Sequence, residues 1–150
     1  MNTTPPLLLA LSGVRPPTLP VWFMRQAGRS LPEYRQVRAG IGMLESCLRP
    51  DLAAEITLQP VRRHRVDAAI FFSDIMVPLK LAGVGVEIQP GVGPVLDAPV
   101  RTASDVDALV RHRLDDLSPI ADAVALAVRE LAGTPSGQAA DVTLDVEQVA

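Results

Sequence analysis

Apolar positions fall in short runs broken by proline, glycine and charge, which predicts many small elements rather than a few long ones. Pro5 to Leu11 is predicted to be a short apolar helix, closed by Ser12-Gly13 and by the Pro16-Pro17 pair, which forces an extended connection. Leu19 to Trp22 reads as a brief extended segment. The polar stretch from Arg25 to Ser30 contains Gly28, has neither a helical nor a strand period, and reads as a loop. Pro32 suits a first helical turn, so Leu31 to Arg38 is predicted to be a helix stopped by Gly40 and Gly42. Pro50 and Asp51 open another helix, in which Leu52, Ile56 and Val61 follow helical spacing only loosely and Pro60 implies a kink or a break.

Ala68 to Phe72 is a continuous apolar run between Asp67 and Ser73-Asp74, the pattern of a fully buried parallel strand with Asp74 at its C-terminal edge. Ile75 to Ala82 is predicted to form a short turn of helix and Val84 to Ile88 a peripheral strand, followed by a Gly/Pro-rich loop from Gln89 to Pro99. Ser104 is the expected cap of a helix over Asp105 to Arg111. Ser118-Pro119 starts a stronger helix through Leu131, with Ile120, Val124, Ala127, Val128 and Leu131 on its apolar face. Beyond Gly133 the pattern weakens, with Val142 to Val146 the last strand candidate and no internal repeat anywhere.

Composition narrows this picture. At 150 residues, with 48% hydrophobic and 21% charged, the chain is long enough for one globular domain, yet shorter than the roughly 250 residues of a complete (β/α)8 barrel. Fourteen prolines and only 3% aromatic residues leave the packing to Leu, Val, Ile and Ala. Cys47 is the single cysteine, and with His64 and His112 it forms no zinc-binding spacing, so no metal is expected. No apolar run approaches the ~18 residues of a membrane-crossing helix, and Leu7 to Leu11 lacks the basic flank of a signal peptide, so a cytoplasmic protein is expected.

The net charge of -3 argues against wholesale nucleic-acid binding but conceals a gradient. Nine arginines face four acidic residues between Arg15 and Arg65, whereas from Val66 onward five basic residues face thirteen acidic ones. The positive charge is concentrated where an anion can use it.

Two constellations carry candidate chemistry. In Met24-Arg25-Gln26-Ala27-Gly28-Arg29, two guanidiniums four residues apart in a loop present planar forks of donors to carboxylates or phosphates. Gly28 lets the backbone turn or approach a ligand, and Arg35 and Arg38 add charge, although on an amphipathic helix one of these would normally face water. The alternative is a solvated basic loop. The second constellation is Ser73-Asp74: an aspartate at the C-terminal end of a parallel strand can accept N–H groups and stabilise a developing cation, or it can simply cap the following turn. Gly83-Val84-Gly85 and Gly91-Val92-Gly93 lack dinucleotide-binding spacing, Cys47 reads as a buried thiol, and Arg62-Arg63-His64-Arg65 reads as a solvated helix end.

Four blocks in order, Pro20-Val21-Trp22-Phe23-Met24-Arg25-Gln26-Ala27-Gly28-Arg29, Leu31-Pro32-Glu33-Tyr34-Arg35, Leu58-Gln59-Pro60 and Asp67-Ala68-Ala69-Ile70-Phe71-Phe72-Ser73-Asp74-Ile75, closely resemble the N-terminal part of the uroporphyrinogen decarboxylase family. Gly91-Val92-Gly93-Pro94 is also similar, the likeness runs roughly from Pro5 to Gly133, and Ser30 stands where the family often has Tyr. The resemblance implies the N-terminal portion of a (β/α)8 TIM barrel, a cytoplasmic homodimer, and removal of the four acetate carboxylates of uroporphyrinogen III to give coproporphyrinogen III without cofactor or metal. By the same resemblance, Arg25, Arg29 and, secondarily, Arg38 hold substrate carboxylates, Gln26, Ala27 and Gly28 line the pocket, and Asp74 accepts the pyrrole N–H groups. Arg25 or Arg29 is then the candidate proton donor, a demanding role for a group whose free pKa exceeds about 12.

The family's later Pro-Phe-Thr-Leu strand motif and its Tyr, Ser and His contributions have no counterpart here, and Ser136 to Ala150 does not align. The expectation is therefore an apparently truncated barrel with negligible decarboxylase activity on its own. The competing readings are a non-catalytic fragment or pseudogene product of the family and a corrinoid-dependent barrel methyltransferase. The complete Arg25 to Arg29 block and the lack of metal ligands stand against the methyltransferase.

Overall fold

A computed structural model of the protein describes residues 4–23, 28–110 and 116–132. The described residues are mixed α/β and mostly helical: α1 (Pro6–Leu11), α2 (Pro32–Val37), α3 (Met43–Leu48), α4 (Pro50–His64), α5 (Val77–Leu81), β1 (Val86–Gln89), β2 (Gly93–Leu96), α6 (Ala103–Val110) and α7 (Ser118–Leu131). Proline stands in the first turn of α1, α2, α4, α5 and α7, where its missing N–H has no helical partner to lose. The prolines thus place helix starts along the chain.

Helix α4 organises the core. Ala53, Ala54, Ile56, Thr57, Leu58, Gln59 and Pro60 are all buried, so the helix is covered on most of its circumference and shows no single apolar stripe. That explains the loose periodicity of its sequence. The helix is assigned without interruption across Pro60, whose ring is fully buried, so the predicted break does not occur. Helix α7 packs along α4 through Ala123, Ala127 and Leu131; Val128, placed on the apolar face by the sequence, is 41% exposed. Leu44 and Cys47 of α3, Phe72, Val77 and Val86 complete the cluster around Ile56.

Helix α4 ends on Arg65, a non-glycine residue in the left-handed region at φ 52° and ψ 44°. A Cβ costs energy there that glycine avoids. Arg65→Gly is expected to stabilise the fold by about 0.5–1 kcal/mol, seen as a higher urea midpoint at unchanged m-value.

Several expectations need correction. Among the described residues Ala68 to Phe72 forms no ladder, and of these residues only Phe72 is buried. One anchor of this segment is a side chain: Phe72 N–H donates to Thr57 Oγ1 of α4 at 2.9 Å. The Leu19 to Trp22 stretch meets the start of this segment at Val21, whose N–H donates to Asp67 Oδ2 while Asp67 N–H donates to Val21 O, both at 2.7 Å. The only ladder among the described residues is antiparallel, β1 with β2, pairing Val86 with Leu96 and Gln89 with Gly93. The region expected to be a Gly/Pro-rich loop therefore contains a strand. Gly91 and Gly93 supply the positive φ values, 77° and 103°, that turn the hairpin. Helix α3 was not expected after Gly42. Ser104 does not cap α6 either: Thr102 Oγ1 accepts from Asp105 N–H at 3.3 Å and Asp105 Oδ2 accepts from Thr102 N–H at 2.8 Å, a reciprocal box that starts the helix at Ala103. The Val142 to Val146 candidate lies outside the described residues.

Candidate anion-binding cleft

The sequence of α2 places Tyr34 and Arg38 one turn apart, on the same side of the helix and its cap. The Tyr34 ring meets Phe72 edge-on, with centroids 6.1 Å apart and planes at 75°, and so docks α2 against the segment that ends in Asp74. The Arg38 guanidinium lies over the same ring, 5.7 Å from its centroid. One aromatic side chain therefore fixes both the cationic and the anionic side of a cleft of about 520 Å3. Arg29, Arg35, Arg38 and Asp74 all line it, and Ile41, Met43, Ile88 and Pro90 supply apolar walls.

The arginines differ in their setting. Arg29 and Arg35 are exposed, whereas Arg38 is half-buried. Arg38 Nη1 donates to the thioether of Met43 at 2.9 Å, and its buried Nε has no hydrogen-bond partner among the described residues. A partly desolvated cation with a weak acceptor on one nitrogen and none on another favours an incoming anion. The sequence reading, in which one of Arg35 and Arg38 turns to water, fits Arg35, though this residue also lines the cleft.

Asp74 takes the capping role and also lines the cleft. Its Oδ1 accepts Met76 N–H at 2.9 Å and its carbonyl accepts Val77 N–H at 3.0 Å, which turns the chain into α5, while the residue lines the cleft. Cys47, fully buried beneath, has its thiol pushed up to about 11, chiefly by burial and further by the negative charge of Asp74, with Arg38 acting in the opposite direction. It is an inert core thiol, as expected from the sequence.

Gly28 is less constrained than expected. Its φ is not in the left-handed region and a Cβ there would meet nothing within 4 Å, so neither a special turn nor crowding requires glycine. Its carbonyl accepts Leu31 N–H at 3.1 Å, leading the chain into α2. Arg25, Gln26 and Ala27 lie outside the described residues. Sequence reasoning passed over Tyr34, Met43 and Ile88; the spacing of Tyr34 to Arg38 was the available signal, whereas nothing local announced that the hairpin would wall the cleft.

The basic end of α4 is paired rather than merely solvated. Arg63 Nε and Nη2 grip Glu33 Oε1 and Oε2 of α2 at 2.6 and 2.9 Å, holding the Glu33 carboxyl down at about 2 chiefly through that hydrogen bonding. Arg62 reaches Glu55 at 2.7 Å and Glu130 of α7 at 3.9 Å. Glu33, Glu55, Arg62 and Arg63 line a second groove of about 540 Å3, but there the opposite charges neutralise each other. Among the described residues no cluster of three or more His, Cys, Asp or Glu is placed to hold a metal, and no helix is long and apolar enough to cross a membrane.

A family model described as uroporphyrinogen decarboxylase (URO-D) matches residues 2–137. The chain belongs to the uroporphyrinogen decarboxylase family. It is 68% identical over 130 residues to a uroporphyrinogen decarboxylase of Arthrobacter sp., covering 87% of this chain and 38% of that protein. To those of Nocardia farcinica and Rhodococcus erythropolis it is 59% identical over 133 residues and 62% over 130, covering 89% and 87% of this chain and 38% and 37% of theirs. The chain thus spans somewhat over a third of the length of these uroporphyrinogen decarboxylases, and its matched region includes the Arg29, Arg38 and Asp74 cleft.

Proposed function

We propose that the cleft is the carboxylate-holding side of a uroporphyrinogen decarboxylase site, built on the first units of a (β/α)8 barrel. The observation that carries this reading is the half-buried Arg38, whose Nε has no acceptor among the described residues and which lines the cleft together with Arg29, Arg35 and Asp74. Uroporphyrinogen III is a ring of pyrroles fringed with carboxylates, and such a surplus of guanidiniums around one carboxylate suits it. Arg25, Arg29 and Arg38 hold substrate carboxylates. Gln26, Ala27 and Gly28 line the approach, and Asp74 accepts the pyrrole N–H groups.

Decarboxylation then needs no cofactor. Protonation of a pyrrole carbon makes the ring an electron sink, the bond to the acetate carboxylate breaks, its electrons flow into the ring as CO2 leaves, and a second proton completes the methyl group. A fixed carboxylate at Asp74 favours the cationic intermediate over the neutral substrate, and that difference accelerates the step. Arg25 and Arg29 are the candidates for delivering the proton. A cytoplasmic homodimer that converts uroporphyrinogen III to coproporphyrinogen III for haem synthesis is the corresponding whole-protein reading. Residues 1–150 contribute an incomplete part of that domain, with the family match ending at residue 137, and turnover by this chain alone is expected to be negligible.

Uroporphyrin, the stable oxidised macrocycle, tests the binding reading by fluorescence titration of the 150-residue chain. Binding that weakens with salt, and weakens about tenfold further in Arg38→Ala, is expected for one lost charge-assisted contact. Equal affinity of the two proteins would remove Arg38 from the site, and no binding at all would sink the carboxylate reading.

A further inference from the structure

We propose that Met43 is a redox-modification site of the cleft: a hydroperoxide converts its thioether to the sulfoxide, whose oxygen then holds the Arg38 guanidinium away from entering anions. The effect on anions rests on the carboxylate reading above; the chemistry at sulfur does not. Arg38 Nη1 already donates to Met43 Sδ at 2.9 Å, so the guanidinium is in place before oxidation. A thioether is a weak acceptor, and the neighbouring Arg38 Nε is buried with no partner among the described residues, which leaves the cation under-satisfied there. A sulfoxide oxygen is a strong acceptor, so oxidation supplies from within the protein what an anion would otherwise supply.

Position makes the sulfur reachable. Met43 and Met76 are the methionines among the described residues, both are half-buried, and of the two only Met43 lines the cleft. A sulfur lone pair attacks one peroxide oxygen, the S–O bond forms and the O–O bond breaks. The departing oxygen takes the electron pair of that bond and the proton of the transferred oxygen, leaving as water when the peroxide is hydrogen peroxide. Sulfur is oxidised by two electrons and the peroxide is reduced by two. The product is reversible by methionine sulfoxide reductase.

The test treats the full chain with hydrogen peroxide and follows three readouts. Peptide mass spectrometry is expected to find Met43 oxidised before Met76. The Arg38 side-chain N–H signals in 15N NMR are expected to shift and to exchange more slowly with water, and uroporphyrin affinity to fall about tenfold, recovering after reductase treatment. Met43→Leu, a volume-conserving change, is expected to show the same affinity before and after peroxide. Preferential oxidation of Met76, or full oxidation of Met43 with unchanged Arg38 signals, overturns the proposal. If the unoxidised chain takes no uroporphyrin, the carboxylate reading fails, and the Arg38 signals alone decide whether the sulfoxide captures the guanidinium.

Discussion

Ile56→Ala is expected to destabilise the protein by about 2–5 kcal/mol, the largest effect of any single truncation considered for this fold. Ile56 is fully buried on α4 and belongs to the cluster containing Cys47, Phe72, Val86 and Ala123, so several elements line the space it would leave. Filling that space requires those elements to move together, and well-packed interiors relax only in part. Domains of this kind have total stabilities of roughly 5–15 kcal/mol, so the substitution removes a large share of the whole. Urea denaturation followed by circular dichroism measures it as a lower midpoint at unchanged m-value. A shift worth less than about 1 kcal/mol would mean that α4 is not the centre of the core.

Thr57→Val is expected to cost about 1–3 kcal/mol without changing side-chain shape, because it leaves the buried Phe72 N–H without its acceptor. The Thr57 hydroxyl sits between two backbone groups, accepting from Phe72 N–H at 2.9 Å and donating to Ala53 O at 2.7 Å. It thereby joins the extended segment before Asp74 to the central helix. Loss of that join should be felt at the cleft as well as in global stability. Faster hydrogen exchange at the Phe72 amide and weaker uroporphyrin binding are expected for Thr57→Val, with Thr57→Ser restoring both. If Thr57→Val leaves Phe72 exchange unchanged, the hydroxyl is not what positions the segment.

The two substitutions mark where local sequence signals end. Helix starts were legible because proline and capping residues act within a single turn: Pro6, Pro32, Pro50 and Pro119 sit where the pattern put them. The uniform burial of α4 was not legible, since a helix covered on most sides carries no stripe to read. Ala68 to Phe72 has the composition of a buried strand, but a ladder is a property of two segments, and composition reports only one of them. Of the hairpin, the strand expected over Val84 to Ile88 overlaps β1, whereas β2 was hidden: Gly91 and Gly93 signalled a turn, and Gly93 to Leu96 carries too few residues for alternation to show.

At the cleft, the arginines and Asp74 were legible as residues of the right chemistry. Their convergence was not, because it depends on Tyr34 touching Phe72, residues far apart in the chain. Thr102 was passed over as a cap in favour of Ser104, although the Thr102-to-Asp105 spacing carries the reciprocal signature. The bidentate grip of Arg63 on Glu33 likewise joins two helices that no local pattern connects.

The reciprocal pair between Val21 and Asp67 also bears on the order of folding. It joins residues 46 apart in sequence, whereas the bonds that start α2, α4 and α7 close within a few residues. Closing such a loop sacrifices chain entropy before the contact rewards it, so the pair forms after the local turns that start the helices. Arg25 and Arg29 lie inside that long loop. That positively charged stretch is therefore gathered only once the Val21–Asp67 closure is made, and an anion that grips it favours the closed chain over the open one.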